Sequence, residues 1–228
     1  MNPNLAIRYD PRLIEEAVFH ARRNSPVLKE LDEQRNRIYE VGDPDDRERR
    51  FNELYHSWFV RLGLNQTIDE ALQEQPIVTA QVESCFIVRA AQSKEEGAEL
   101  FVASAPRPEE SARRTARIAL QPESLLDRER LLAFLRHELF HIADMLDPAF
   151  AYEPTLPKTE GGPTYDTLIT NRYRVLWDVT INGRMARRGW TAASVRDEQW
   201  NDFICAFPML EKDGAEFFER FFNAEQPA

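Results

Sequence analysis

Residues 131–150 read LLAFLRHELFHIADMLDPAF, and the arrangement of this stretch decides how the rest of the chain is understood. Placed on a helix at about 100° per residue, Leu131, Leu135, Leu139, Ile142 and Leu146 share one side and predict a core-facing stripe. His137 and His141 fall on the opposite side, with Phe134 and Asp144 nearby. Imidazoles one helical turn apart can converge on a single metal ion while the leucine face anchors the helix. Glu138, offset by one residue, comes to lie beside such an ion, placed to polarise a water rather than to bind the metal itself. Asp127 or Ser124 supplies a helix N-cap and Pro148 a stop, so the helix is expected from about 127 to 146.

Upstream, IVTAQVESCFIVRAA, ELFVASA and TARIALQ are short β-branched or aromatic runs separated by polar stretches with Gly or Pro. They predict three or so strands of one sheet between about 77 and 121, without saying which strand is the edge. Residues 1 to about 75 read as helices. DPRLIEEAVFHARR begins with Asp10 as N-cap and Pro11 in the first turn. SPVLKELDEQRNRIYEV repeats that logic from Ser25 and stops near Gly42. The run GDPDDRERR lacks the ligand order of a calcium loop and reads as the solvated start of the helix FNELYHSWFVRLGL.

Downstream, residues 148–169 are rich in Pro, Gly and Thr and predict a long loop. The element NRYRVLWDVTINGRMARRG follows, then helices near 194–205 and 212–223. The expected division is therefore an N-terminal helical extension, 1–75, and a second domain, 76–228.

Bulk properties narrow the function. At 228 residues the chain can bury a substantial core. A net charge of −10 argues against nucleic acid or an anionic membrane as main partner, since both need a dominant positive field. The clusters RRTAR (113–117) and MARRGW (185–190) read as solvated faces. Neither a secretory signal nor a run long enough to span a bilayer is visible, so a cytoplasmic location is expected. Cys85 and Cys205, two residues far apart, do not make a disulfide framework or a thiolate cluster.

Over about residues 77–187, a small set of strands followed by an amphipathic helix carrying H-E-x-x-H resembles the zincin metallopeptidases. The resemblance implies an α+β fold in which a small mixed β-sheet packs on the active-site helix. It also implies one Zn2+ per chain held by His137 and His141, with Glu138 as general base. The other two histidines, His20 and His56, lie in the N-terminal segment, so the third ligand is expected to be a carboxylate.

Three aspartates compete for that role. Asp144 lies on the same helix, about 4.5 Å further along its axis than His141, and is better suited to support an imidazole by hydrogen bonding. Asp147 sits where the metzincin branch places its third ligand, but that branch turns at a Gly where this chain has Asp144. Asp178 stands in the apolar segment VLWDVTIN, four residues before Asn182, and an ionised carboxylate there is costly unless paired or metal-bound. The gluzincin branch is similar in taking its third ligand from a downstream helix, with a supporting acid four residues later. Related metallopeptidases carry a D-x-x-I-N element that Asp178, Ile181 and Asn182 match. By that resemblance Asp178 is the ligand and Asn182 its supporting partner. Two other readings stay open: an ion pair of Asp178 with Arg174, and a strand ending in an Asn-Gly turn. Glu153, Glu160 and Asp166 are further acids in the long loop.

The expected activity is zinc-dependent hydrolysis of peptide or other amide bonds. Tyr165, Tyr173 and Arg174 are candidates for stabilising the oxyanion, and a sheet edge can hold an extended peptide substrate by strand addition. The alternatives are a non-catalytic zinc protein, with the metal as a staple, and a helical interaction module in which residues 1–75 are the working part or cover the cleft.

Overall fold

The computed structural model describes residues 5–22, 28–103, 113–155, 160–210 and 212–225. Its first element was not foreseen: strand β1 (Ala6–Tyr9) precedes any helix. Four residues are too few to establish a period of two against the helical pattern that follows. β1 becomes a strand by pairing in parallel with β2 (Ser84–Arg89), in the register Ala6↔Ser84 to Tyr9↔Ile87. The segment expected to be a separate helical extension therefore contributes to the sheet.

Local signals account for most helix starts. Helix α1 (Pro11–Arg22) begins where the Asp10 carboxylate accepts from the Arg12 N–H at 2.9 Å, and it buries Leu13, Ile14, Ala17 and Val18. Helix α2 spans Leu28–Tyr39; the expected cap at Ser25 lies outside the described residues. Helix α3 (Pro44–Arg61) is capped by Asp43, which accepts from the N–H groups of Asp45 and Asp46 at 2.8 and 3.1 Å. The acidic run is thus a helix start, as its composition implied. Helices α4 (Gln66–Gln73) and α5 (Pro76–Gln81) follow. The latter corrects the strand expected from Ile77: Pro76 opens a short helix, and extended structure begins only at Ser84.

Strands β3 (Gly97–Ala103) and β4 (Arg113–Leu120) complete a four-stranded mixed sheet of order β1-β2-β4-β3. β4 is internal and parallel to β2, whereas β3 runs antiparallel to β4 at the edge. The buried end of β4, Ile118 to Leu120, fits a strand paired on both sides. With helices as the larger part of the described residues, the class is α+β.

Helix α6 (Arg128–Leu146) matches its expected limits. The Asp127 carboxylate accepts from the Arg130 N–H at 3.2 Å, and Leu131, Leu135, Leu139, Ile142 and Leu146 are all buried. Arg136 forks onto the Glu74 carboxylate at 2.7 and 2.6 Å, fastening the helix to the end of α4. The chain forms two compact units, residues 1–142 and 143–228.

The second unit contains the last turn of α6 and helices α7 (Gly162–Arg187), α8 (Val195–Ala206) and α9 (Gly214–Phe222). α7 overturns two expectations. The supposed loop ends at 161, because Gly162 and Pro163 open a helix. The alternative strand through VLWDVTING is likewise excluded, since Gly183 lies inside the helix. Glycine in a helix interior costs about 1 kcal/mol relative to alanine, but a Cβ at Gly183 would lie 1.8 Å from the Phe222 carbonyl oxygen. The glycine is what lets the end of α9 approach.

Val179, Phe203, Phe218 and Phe222 form the core of this unit. Arg187 donates to the carbonyls of Phe222 and Ala224, both at 2.7 Å. The MARRGW cluster is therefore only partly a solvated face: Arg187 caps the C-terminal carbonyls of α9.

Gly183→Ala is expected to lower stability by about 1–3 kcal/mol through overpacking. Gly42→Ala, where nothing stands within 4 Å of the added Cβ, should stay within about 0.5 kcal/mol of wild type. The midpoints of denaturant unfolding compare the two.

Candidate metal centre

The leucine stripe of α6 leaves its other face to His137 and His141, whose rings lie 4.9 Å apart between centroids and are inclined at 72°. Both side chains are half-buried. Glu138 is held from two sides. Its Oε1 lies 3.3 Å from His137 Nδ1, and its Oε2 accepts from the Ala98 N–H at 2.9 Å. Ala98 belongs to the edge strand β3, whose outward N–H groups have no ladder partner; Glu138 takes one of them. Burial pushes the Glu138 carboxyl up. The hydrogen bonds from His137 and Ala98, with the charge of the two histidines, outweigh it and hold the group below the ordinary glutamate range. The carboxylate form is the one a proton acceptor needs.

On α7, Asp178 is partly buried between Trp177 and Val179, which are buried. His137 and His141 on α6 and Asp178 on α7 are residue types that hold metal ions. Two imidazoles and a carboxylate also suit the borderline character of zinc.

The other acids expected near the site have different partners. Asp144 accepts from Trp177 Nε1 at 2.7 Å and from both terminal nitrogens of Arg184, at 2.8 and 2.5 Å. The imidazole-supporting role expected of it is replaced by a buried ion pair. Asp147 follows the last residue of α6, and its Oδ1 accepts from the Ala149 N–H at 2.9 Å. The helix runs through Asp144 without the sharp turn a metzincin arrangement requires. The positive φ of a non-glycine residue, 51°, occurs at Ala151. The Asn182 side chain donates to the Asp178 carbonyl at 2.9 Å within α7, so its amide serves the helix backbone.

Among the proposed oxyanion donors, Tyr173 packs edge-on against Trp177 at 6.1 Å between ring centroids. Its phenol is pushed up by burial and by the nearby Tyr152 and Asp144. Tyr165, 44% exposed, lies two turns earlier on α7, and Arg174 is exposed. Of the remaining histidines, His20 pairs with Glu123 at 3.0 Å and His56 is exposed.

Arg184 was the residue that sequence reasoning missed. It stands two residues beyond the apolar segment VLWDVTIN that drew attention to Asp178, and a buried charge there demands a partner as much as the aspartate does.

No protein-family model, curated protein or solved structure matches the chain. The case for function rests on the residues themselves.

The Cys85 thiol is pushed up to about 12 by burial, which keeps it protonated and unreactive at neutral pH, whereas Cys205 is exposed. A thiol reagent such as Ellman's is expected to titrate one cysteine per native chain rapidly and the second only in denaturant. Rapid reaction of both in the native protein would contradict the burial of Cys85.

Proposed function

We propose that the protein is a zinc-dependent hydrolase of peptide or other amide bonds, zincin-like in its active-site helix. The observation that carries this reading is the donor set: two histidines one turn apart on α6, the Asp178 carboxylate on α7, and an ionised Glu138 beside the first histidine. A purely structural zinc site has no use for a general base there, although Glu138 also accepts from the Ala98 N–H.

When bound, zinc supplies Lewis acidity, which lowers the pKa of water and polarises a carbonyl. The residues of the chain divide the remaining work. His137, His141 and Asp178 would hold the metal. Glu138 accepts the proton of the attacking water at its carboxylate and delivers it to the leaving amine. Its hydrogen bond from Ala98 keeps the carboxylate from rotating away, which is how a positioned base retains its advantage. Strand β3, at one edge of the sheet, offers an extended substrate backbone hydrogen bonds beyond the Ala98 N–H that Glu138 occupies. Tyr173 is the candidate to stabilise the oxyanion, by donating its phenolic proton in a hydrogen bond.

Elemental analysis of wild type and Asp178→Ala, purified identically, tests the ligand set. About one zinc per chain is expected in wild type, and much less in the variant. Zinc retained by Asp178→Ala would move the third ligand elsewhere, and no zinc in wild type after zinc is supplied would end the reading. Glu138→Gln is expected to keep its zinc and to lose amide hydrolysis by about 10²–10⁴-fold. Hydrolysis unaffected by that change would remove Glu138 as base. Zinc-loaded wild type that cleaves nothing in a diverse peptide mixture would favour the structural-staple alternative.

A further inference from the structure

We propose that Asp144 and Arg184 are a positioning pair for the metal ligands, so that zinc affinity depends on them although neither binds the metal. This inference rests on the zinc reading above. Asp144 and Arg184 are 5% and 8% exposed, and their side chains meet through two terminal nitrogens and two carboxylate oxygens. The fork is geometrically demanding in a way that a lysine would not be. The Trp177 indole adds a third donor to the same carboxylate.

The positions of these residues give the pair its reach. Asp144 stands three residues after His141 on one continuous helix, so whatever sets the rotation of the last turn of α6 also sets the direction of that imidazole. Trp177 immediately precedes Asp178, and Arg184 lies seven residues further on, about 10 Å along the axis. Two donors two turns apart on α7 thus converge on one carboxylate. A single contact would let α7 roll or slide, but two separated contacts determine both its rotation and its axial register against the last turn of α6. Asp178 is then offered in one orientation, with no hydrogen bond to either group required.

The test measures the zinc dissociation constant, by competition with a chromophoric chelator, alongside unfolding of the zinc-free proteins. Asp144→Asn/Arg184→Gln replaces the charged fork by a neutral hydrogen-bonding pair, keeps an acceptor for Trp177, and leaves no buried charge alone. Its circular dichroism is expected to match wild type while zinc binding weakens about 10–100-fold, the range typical of groups that orient metal ligands. Trp177→Phe, which removes one donor and keeps the ion pair, is the milder second variant and should weaken zinc binding by a smaller factor. If the double variant folds and binds zinc as tightly as wild type, the pair is a structural staple only and the inference fails. Should the double variant not fold, Trp177→Phe decides: wild-type affinity overturns the inference, reduced affinity supports it. Absence of zinc from wild type would instead overturn the metal reading, and this inference with it.

Discussion

A carboxylate buried in a helical unit must find its partners or cost several kcal/mol, and the second half of this protein is organised around one such group. Asp144 receives the Arg184 guanidinium and the Trp177 indole. Removing one partner of a buried pair leaves an uncompensated charge and typically costs about 3–5 kcal/mol. Any register of α7 that separates Arg184 from Asp144 meets that penalty, so the pair acts chiefly as a device for specificity. Around it the unit is filled with aromatic rings, which pack in many ways and specify little alone. Trp177 carries Phe150, Tyr152 and Tyr173 against its faces and edges, and Gly183 permits the close approach of α9.

In the first unit the corresponding constraint is the edge of the sheet. β3 is antiparallel to its one neighbour, and an exposed strand edge invites uncontrolled pairing. Glu138 from α6 occupies the Ala98 N–H, and Arg117 pairs with Glu99 across the β3–β4 ladder at 2.9 Å. The same contact that protects the edge orients the proposed base. Arg136, one residue before His137, is anchored on Glu74. The histidine helix is therefore held by charged forks at two places along its length, Arg136 and Asp144, with Leu139 and Ile142 of the leucine stripe between them.

Much of the candidate site was legible because it is local. The i, i+4 histidines, the offset glutamate and the leucine face all follow from one helical period, and α6 appears within a residue or so of its expected limits. Asp43 and Asp127 announced their helices by cap chemistry. Asp178 was conspicuous as a charge in an apolar segment. The misses have physical causes. β1 is four residues long and exists by pairing with β2, seventy-eight positions away in register. IVTAQ has β-branched composition, yet Pro76 and the packing of Val78 make it helical. The Pro- and Gly-rich segment 161–163 reads as loop, but proline is well tolerated in a first turn, and α7 starts there. Nothing local marks Arg184 as buried, because its partner lies forty positions earlier.

The sequence by itself determined the chemistry-bearing turn of α6, the helix starts at Asp10 and Asp127, the strand content from Ser84 to Leu120 and the net charge of −10. These depend on interactions within a few residues or on composition. Tertiary structure decided that β3 lies at one edge of the sheet, that Ala6–Tyr9 joins it at the other, that residues 162–187 are one helix, and that Asp144 answers Arg184 and Trp177 instead of an imidazole. Each of these outcomes hangs on partners tens of residues apart. The free energy that selects among them comes from burying groups together, which no local pattern records.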